Sequence, residues 1–374
     1  MIRRICYVDE DGRFGGPQQR MLLVASKLKA KNIEVDFIIP KDETKIFKKK
    51  LLSKGLKFHE LNITRLSLKI SFLIKYFLFF FYEIIILMIF FKKKKYQLIQ
   101  ANSTPQFKAV IAGFLIGLKV VWVIEDSYFP KLIVLIFRAL AKITNCKIVY
   151  TSQRVYDFYF KDRKRLKNDL SEIFAPVDLI LFNPEQKFLV PPYIDKNKFT
   201  ITTVASLAPV KGLEYFIEAA DKIYKKKNNL NFIIAGPEIS SQKRYSKKIK
   251  LMLKNKSYIK FIGMCENIPE LLANSDLFIC SSVSEAGPMT VYEAMAMKVP
   301  VITTDVGASN QIIKNLESGI IVPSKNSLEI YLALDKLTNN KTLQDNIALK
   351  GHQTANKFFS LDKIAEQYIE FYNN

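Results

Sequence analysis

The sequence predicts an α/β protein of two doubly wound, Rossmann-like domains facing a cleft. Short apolar strands alternate with helical stretches along the chain, and the alternation falls into two halves. A proline-rich joint, PEQKFLVPPYIDKNK (184–198), separates them. With 374 residues, 49% of them hydrophobic, the chain is long enough for two cores. The first domain is read as 1–184, the linker as 185–198, the second domain as 199–358 and a final helix as 359–374.

Residues 2–8 read as a strand, and GRFGGPQQRM (12–21) as a loop entering a helix that runs to Lys31. The Gly15-Gly16 pair lets backbone approach a ligand at that helix N-terminus. EVDFIIP (34–40) is a second strand, and a Lys-rich helix follows over 43–54. YQLIQANST (96–104), KVVWVIEDS (119–127) and NCKIVYTS (145–152) are further strands, with helices through Leu118 and over Lys131–Thr144 between them.

The stretch ISFLIKYFLFFFYEIIILMIFF (70–91) ends in Lys92 to Lys95. Its uncharged runs of 7 and 8 residues, broken by Lys75 and Glu83, fall short of the 18 or more of a spanning helix. Spanning would also put two halves of one parallel sheet on opposite sides of a bilayer. Two readings stand, a buried crossover helix and a helix in the membrane interface. The number of Phe residues and the flanking lysines favour the second, with residues 66–95 on the membrane surface.

The second domain opens with FTITTVASLAPVKGLEYFIEAA (199–220), again strand, loop and helix. NFIIAGP (231–237), a basic helix (242–254) and YIKFIGMCENIPELLANSDLFICSS (258–282) follow. The chain is organised around SSVSEAGPMTVYEAMAMKVPVITT (281–304), read as loop, helix and strand. Glu285 falls on the loop and Glu293 about one and a half turns into the helix, with Pro288 in its first turn. The backbone of Gly287, Met289 and Thr290 at that helix N-terminus can hold a phosphate. The two carboxylates can accept hydrogen bonds from hydroxyls. Phosphate together with hydroxyls describes a nucleotide sugar.

Glu-x7-Glu followed by Ala-Met-Ala and an apolar strand resembles the C-terminal half of retaining glycosyltransferases of the GT-B fold, family 4 (glycosyl transferases group 1). The resemblance implies that Glu293 holds the nucleotide ribose and Glu285 contacts the transferred sugar. The segment with Lys211 resembles the family's "vGRLxxxKG" signature, whose Arg and Lys bind the diphosphate. Lys211 matches, and Ser206 stands at the Arg position, removing a bidentate donor. By the same resemblance, Gly15 and Gly16 face the donor phosphates and the acceptor, and Gly263 lies where backbone groups meet the nucleotide base. At the end of the strand 119–127 the family commonly carries a histidine near the sugar. Here Glu125-Asp126 stands instead, either contacting a hydroxyl or capping the strand. Lys298 occupies a turn position that is usually Gly in relatives, and the final helix crosses back to the first domain in this fold.

His59 and His352 are the only histidines, which leaves almost no material for a His-rich metal site or a Ser-His-Asp triad. Asp9-Glu10-Asp11 looks like the D-x-D metal motif of the other transferase fold, GT-A, but the rest of the chain matches a fold that works without a metal. No metal and no cofactor is therefore expected. The four cysteines form no CxxC, and no signal peptide is visible, which suggests a cytoplasmic protein. Residues 1–200 hold 36 Lys+Arg against 18 Asp+Glu, and residues 201–374 hold 21 against 17. On charge alone nucleic acid and anionic membrane both qualify as partners; the aliphatic interleaving and the lack of a recognition motif argue against nucleic acid. The expectation is a retaining, metal-independent transferase at the inner face of the cell membrane. It would move a sugar from a nucleotide-diphosphate donor onto a lipid-linked or nascent surface glycan. The alternatives are a nucleotide-sugar epimerase of the same fold and a non-catalytic sugar-nucleotide-binding subunit.

Overall fold

The computed structural model describes residues 2–41, 44–67, 69–161 and 169–374. The chain divides into two compact units, Met1–Pro176 with Leu361–Asn374, and Val177–Ser360.

In the first unit the elements run β1 (Arg4–Val8), α1 (Gly16–Ala30), β2 (Glu34–Pro40), α2 (Lys45–Ser53), β3 (Lys57–Leu61), α3 (Ile70–Lys94), β4 (Leu98–Asn102), α4 (Phe107–Leu115), β5 (Lys119–Ile124), α5 (Lys131–Thr144), β6 (Lys147–Tyr150), α6 (Gln153–Phe160) and β7 (Leu170–Glu172). All seven strands pair in parallel, in the order β3-β2-β1-β4-β5-β6-β7. The central strands read as unbroken apolar runs because helices cover both faces. Right-handed crossovers that first step from β1 towards β3, then reverse through β4 to β6, place α1 and α2 on one face and α3, α4 and α5 on the other.

The first unit meets an energetic difficulty where α3 packs on α4. Lys108 is fully buried, and its ammonium lies 2.5 Å from the Glu83 carboxylate and 3.3 Å from Glu10. Glu83 also accepts hydrogen bonds from the backbone N–H (3.0 Å) and hydroxyl (3.0 Å) of Thr64. The Tyr76 ring lies 4.4 Å below the ammonium. Burial, only partly relieved by Lys108, pushes the Glu10 carboxyl up to about 7. This cluster joins the end of β1, α3 and α4, so α3 is held to the sheet by charge as well as by Leu87 and Phe91.

The elements of the second unit are β8 (Phe199–Val204), α7 (Leu213–Tyr224), β9 (Leu230–Ala235), α8 (Lys243–Leu253), β10 (Ile259–Gly263), α9 (Ile268–Ala273), β11 (Leu277–Cys280), α10 (Met289–Ala296), β12 (Val301–Thr304), α11 (Ser309–Ile312), β13 (Ile320–Val322), α12 (Ser327–Thr338) and α13 (Lys341–Phe358). Its parallel sheet has the order β10-β9-β8-β11-β12-β13. The last helix, α14 (Leu361–Asn373), is part of the first unit. It packs on α1, where Lys31 at the helix end pairs with Glu366 (3.1 Å), and reaches β1, where Tyr372 shares a hydrogen bond with Tyr7 (2.8 Å).

Three details differ from the sequence reading. The first unit ends at 176 rather than 184. The segment 185–198 is no free linker: Tyr193 and Ile194 pack against Ile233, Ala235 and Leu271, and Asn274 donates to the Leu189 carbonyl at 2.8 Å. Apolar side chains between the prolines give it a surface to bury. β3 and β7 are extra strands. Of the expected 43–54 helix, residue 43 lies outside the described residues, as does Leu68 of the segment 66–95.

Lys108→Met leaves two buried carboxylates without their cation. It is expected to cost about 3–5 kcal/mol of unfolding free energy, measured by denaturant titration, and Lys108→Met/Glu83→Gln is expected to recover part of it.

Candidate functional site

In an open parallel sheet, ligands bind outside the carboxyl ends of the strands where the strand order reverses. In the second unit the reversal lies between β8 and β11, so the loops after these strands, 205–212 and 281–288, border that point. They carry Lys211 and Glu285. The two side chains meet, Lys211 Nζ to Glu285 Oε1 at 2.5 Å, although they are 74 positions apart. The Ser282 hydroxyl donates to the same carboxylate oxygen at 2.8 Å. Both side chains keep partial access to solvent, 27% for Lys211 and 16% for Glu285. Burial pulls the Lys211 pKa down, but Glu285 more than compensates and holds it above the ordinary lysine value.

The loops are also fastened through backbone. Val283 N–H donates to the Val210 carbonyl at 2.8 Å, and the Ser281 hydroxyl donates to the Lys211 carbonyl at 3.1 Å. Gly212 adopts φ +58, and a Cβ there would lie 2.3 Å from the Ser281 carbonyl oxygen. Gly307, after β12, has φ +54 and would place a Cβ 2.7 Å from the Ala286 carbonyl oxygen. Gly212, Ser282 and Gly307 are absent from the sequence reading. The signals were the glycine directly after Lys211, the Ser-Ser pair before Glu285 and the glycine after the strand 301–304.

Glu293 lies in the second turn of α10, partly exposed, and burial pushes its carboxyl up to about 8. Pro288 is the N-cap of α10, one residue earlier than expected. Met289 does not offer its N–H freely as expected, because that group turns back onto the Gly287 carbonyl at 2.9 Å. Gly287 and Thr290 flank this turn. Ser206 is partly buried in the loop after β8, and its carbonyl accepts from Ala208 N–H at 2.8 Å. Gly263 ends β10 at φ +70, and its carbonyl accepts from Gly236 N–H at 2.7 Å.

In the first unit the strand order reverses between β1 and β4. Gly15 and Gly16 precede and open α1, both exposed; neither has a positive φ, and a Cβ at Gly16 would meet nothing within 4 Å. The local fold therefore does not itself demand glycine there. Glu125 and Asp126 separate in role. Glu125 is buried against Arg20 at 3.6 Å, so it serves an internal ion pair, and the expectation of a hydroxyl contact moves to its neighbour. Asp126 accepts from the Ser103 hydroxyl at 2.9 Å, and burial together with Glu125 pushes it up to about 7. Ser103 holds φ +78 at the end of β4, a strained conformation for a residue with a side chain. The acids of the D-x-D look-alike turn to separate partners: Asp9 accepts from Gln18 at 2.8 Å, Glu10 faces Lys108, and Asp11 pairs with Arg13 and with Arg65 at 3.2 Å. A hollow of about 710 Å³ lies along α8, lined by Lys243, Lys247, Lys250 and Lys254 together with Glu238, Leu251 and Phe261, and holds none of the expected residues.

The fold and the cation–carboxylate pair at a switch point define a Rossmann-type binding unit suited to a phosphorylated, hydroxyl-bearing ligand. Residues 186–354 match the family glycosyl transferases group 1. Among curated relatives, the chain is 30% identical over 191 residues to the UDP-Gal:alpha-D-GlcNAc-diphosphoundecaprenol alpha-1,3-galactosyltransferase of Escherichia coli, covering 48% of each. It is 26% identical over 180 residues to the N,N'-diacetylbacillosaminyl-diphospho-undecaprenol alpha-1,3-N-acetylgalactosaminyltransferase of Campylobacter jejuni, covering 48% of this chain and 46% of that one. The matches span about half the length of these relatives. Over the whole chain, the structure resembles Anabaena Alr3699/HepE, solved in complex with UDP and glucose, with TM-score 0.84, 19% identity and 100% coverage of both. The match to that family is confined to residues 186–354, and the fold of the whole chain is GT-B.

Gly212→Ala is expected to lower stability by more than about 1 kcal/mol, because it combines an unfavourable φ with a backbone clash. Thermal melting checks it; an unchanged midpoint would show the loops to be loosely joined.

Proposed function

We propose that this protein is a retaining, metal-independent glycosyltransferase. It moves a sugar from a nucleotide-diphosphate donor onto a hydroxyl of a lipid-linked or nascent surface glycan. The Lys211–Glu285 pair at the switch point of a group 1 glycosyl transferase segment carries this reading. Lys211 supplies positive charge for the diphosphate as the leaving group forms, with the turn at Gly287, Met289 and Thr290 beside it. Ser206 offers a hydroxyl in place of a guanidinium. Glu285 accepts hydrogen bonds from the sugar, and Glu293 from the ribose. Gly263 faces the base through backbone groups.

In the reaction, the bond between the anomeric carbon and the phosphate oxygen breaks and its electron pair leaves with the diphosphate. The acceptor oxygen attacks the same face, and its proton passes to the departing phosphate. No histidine is needed for that transfer. In the first unit, Asp126 with Ser103 is suited to orient an acceptor hydroxyl near the loop at Gly15 and Gly16.

The two relatives are named for acceptors carried on diphosphoundecaprenol. A polyprenyl-type acceptor requires the enzyme to work at a membrane surface, which suits α3. This helix is long and apolar enough to cross a bilayer, yet only 22% of its most apolar window is buried in the protein. Strands β3 and β4, on either side of it in the chain, belong to one sheet, which excludes spanning. The protein would then bind peripherally, through residues 66–95, at the inner face of the cell membrane.

Titration calorimetry with UDP is the test. Ribose hydroxyls favour an ionised Glu293, so UDP affinity should strengthen by up to about tenfold per pH unit towards pH 8 and level off above it. Glu293→Gln should bind more weakly and lose that component of the pH dependence. Lys211→Ala should lose about 1.5–3 kcal/mol of binding, and equal affinity in both variants would contradict the assignment. Binding without transfer to any acceptor would instead identify a non-catalytic subunit, and sugar isomerisation without acceptor an epimerase.

A further inference from the structure

The helices on one face of the first sheet carry an unusual excess of outward-facing apolar side chains. α5 buries Val134, Phe137 and Ala141 against the protein. On its opposite side, Leu132, Leu135, Ile136 and Ile143 form a second apolar stripe, 66%, 51%, 38% and 64% exposed. Spacings of three, four and eleven put these four side chains within a narrow arc of the helix. α3 repeats the pattern: Tyr76, Glu83 and Leu87 face inward, while Ile74, Phe77, Leu78, Phe81, Ile85 and Ile89 face outward. Between the two helices, α4 is buried except near its end, where Phe114 and Leu115 are exposed. Since α3 and α5 lie on the same face of the sheet, their outward stripes point the same way.

Charge indicates what covers this face. α3, α4 and α5 contain a single acidic residue, Glu83, which is buried and paired with Lys108. Lys75, Lys92 and Lys93 of α3 and Lys131 and Lys142 of α5 are exposed. α14, on the other face, carries Asp362, Glu366 and Glu370. A basic surface without acids repels a second copy of itself and attracts an anionic one.

We propose that α3 and α5 together form one docking plane that seats the first unit on an anionic lipid bilayer. This rests on the membrane-surface reading above and extends it from a single helix to two. Two parallel lines of anchors fix the tilt of the unit on the surface, whereas a single helix would leave it free to roll about its own axis.

The test is co-sedimentation of the full chain with phosphatidylcholine vesicles, with and without phosphatidylglycerol. The variants are Phe77→Glu/Phe81→Glu in α3, Leu135→Glu/Ile143→Glu in α5, and Leu52→Glu on the exposed surface of α2, on the other face. All replace exposed side chains, and unchanged melting temperatures verify their folding. The expected result is that phosphatidylglycerol strengthens binding and that the α3 and α5 variants each lose about tenfold in partitioning, with Leu52→Glu unchanged. If only the α3 variant loses binding, the two-helix plane is overturned and the membrane reading survives. If the wild-type chain binds no vesicle, both fall. If light scattering shows a dimer that the α5 variant abolishes, the face belongs to a second copy and the proposal is overturned.

Discussion

The contact between Lys211 and Glu285 depends on how two loops from non-consecutive strands are held together. β8 and β11 are neighbours in the sheet only because the chain has gone out to β10 and come back. That reversal opens a gap between crossover helices, into which both loops project. Gly212 and Gly307 let backbones approach at distances that no side chain would permit, and Ser282 fixes the carboxylate from the other side. A cation kept charged beside a carboxylate that is itself held in place is a preorganised element.

The first unit places its charges differently. Two buried clusters, Lys108 with Glu10 and Glu83, and Arg20 with Glu125, secure helices to the sheet and pair their charges internally. Most of the positive excess of residues 1–200 therefore lies on the surface. Glu83 matters in this respect because it gives the apolar helix α3 an inside and an outside. Its pairing commits one face of α3 to α4 and turns the opposite, Phe-rich face to the surroundings.

Much of this was legible from the chain alone. The strand and helix alternation follows from apolar periodicity, and Lys211, Glu285 and Glu293 stood out because short motifs place them at strand and helix ends. What escaped was mostly long-range. Nothing near Glu125 indicates that Arg20, 105 positions earlier, will neutralise it, and nothing near Gly212 indicates that a carbonyl from Ser281 will press against it. The segment 185–198 misled because prolines signal a linker, while the apolar Tyr193 and Ile194 between them were enough to bind it to the second unit. Met289 misled because the first N–H groups of a helix are ordinarily free, whereas here a local turn engages one. The outward stripe of α5 is visible as a periodicity, but only the packed structure shows which of its two apolar sides faces out.

The most direct measurement is a crystal structure of the protein soaked with UDP. The account predicts the β-phosphate within hydrogen-bonding reach of Lys211 Nζ, the ribose hydroxyls on Glu293, and the Glu285 carboxylate free to face a sugar. A nucleotide bound instead along the α8 lysines, with the Lys211–Glu285 pair unchanged, would contradict it.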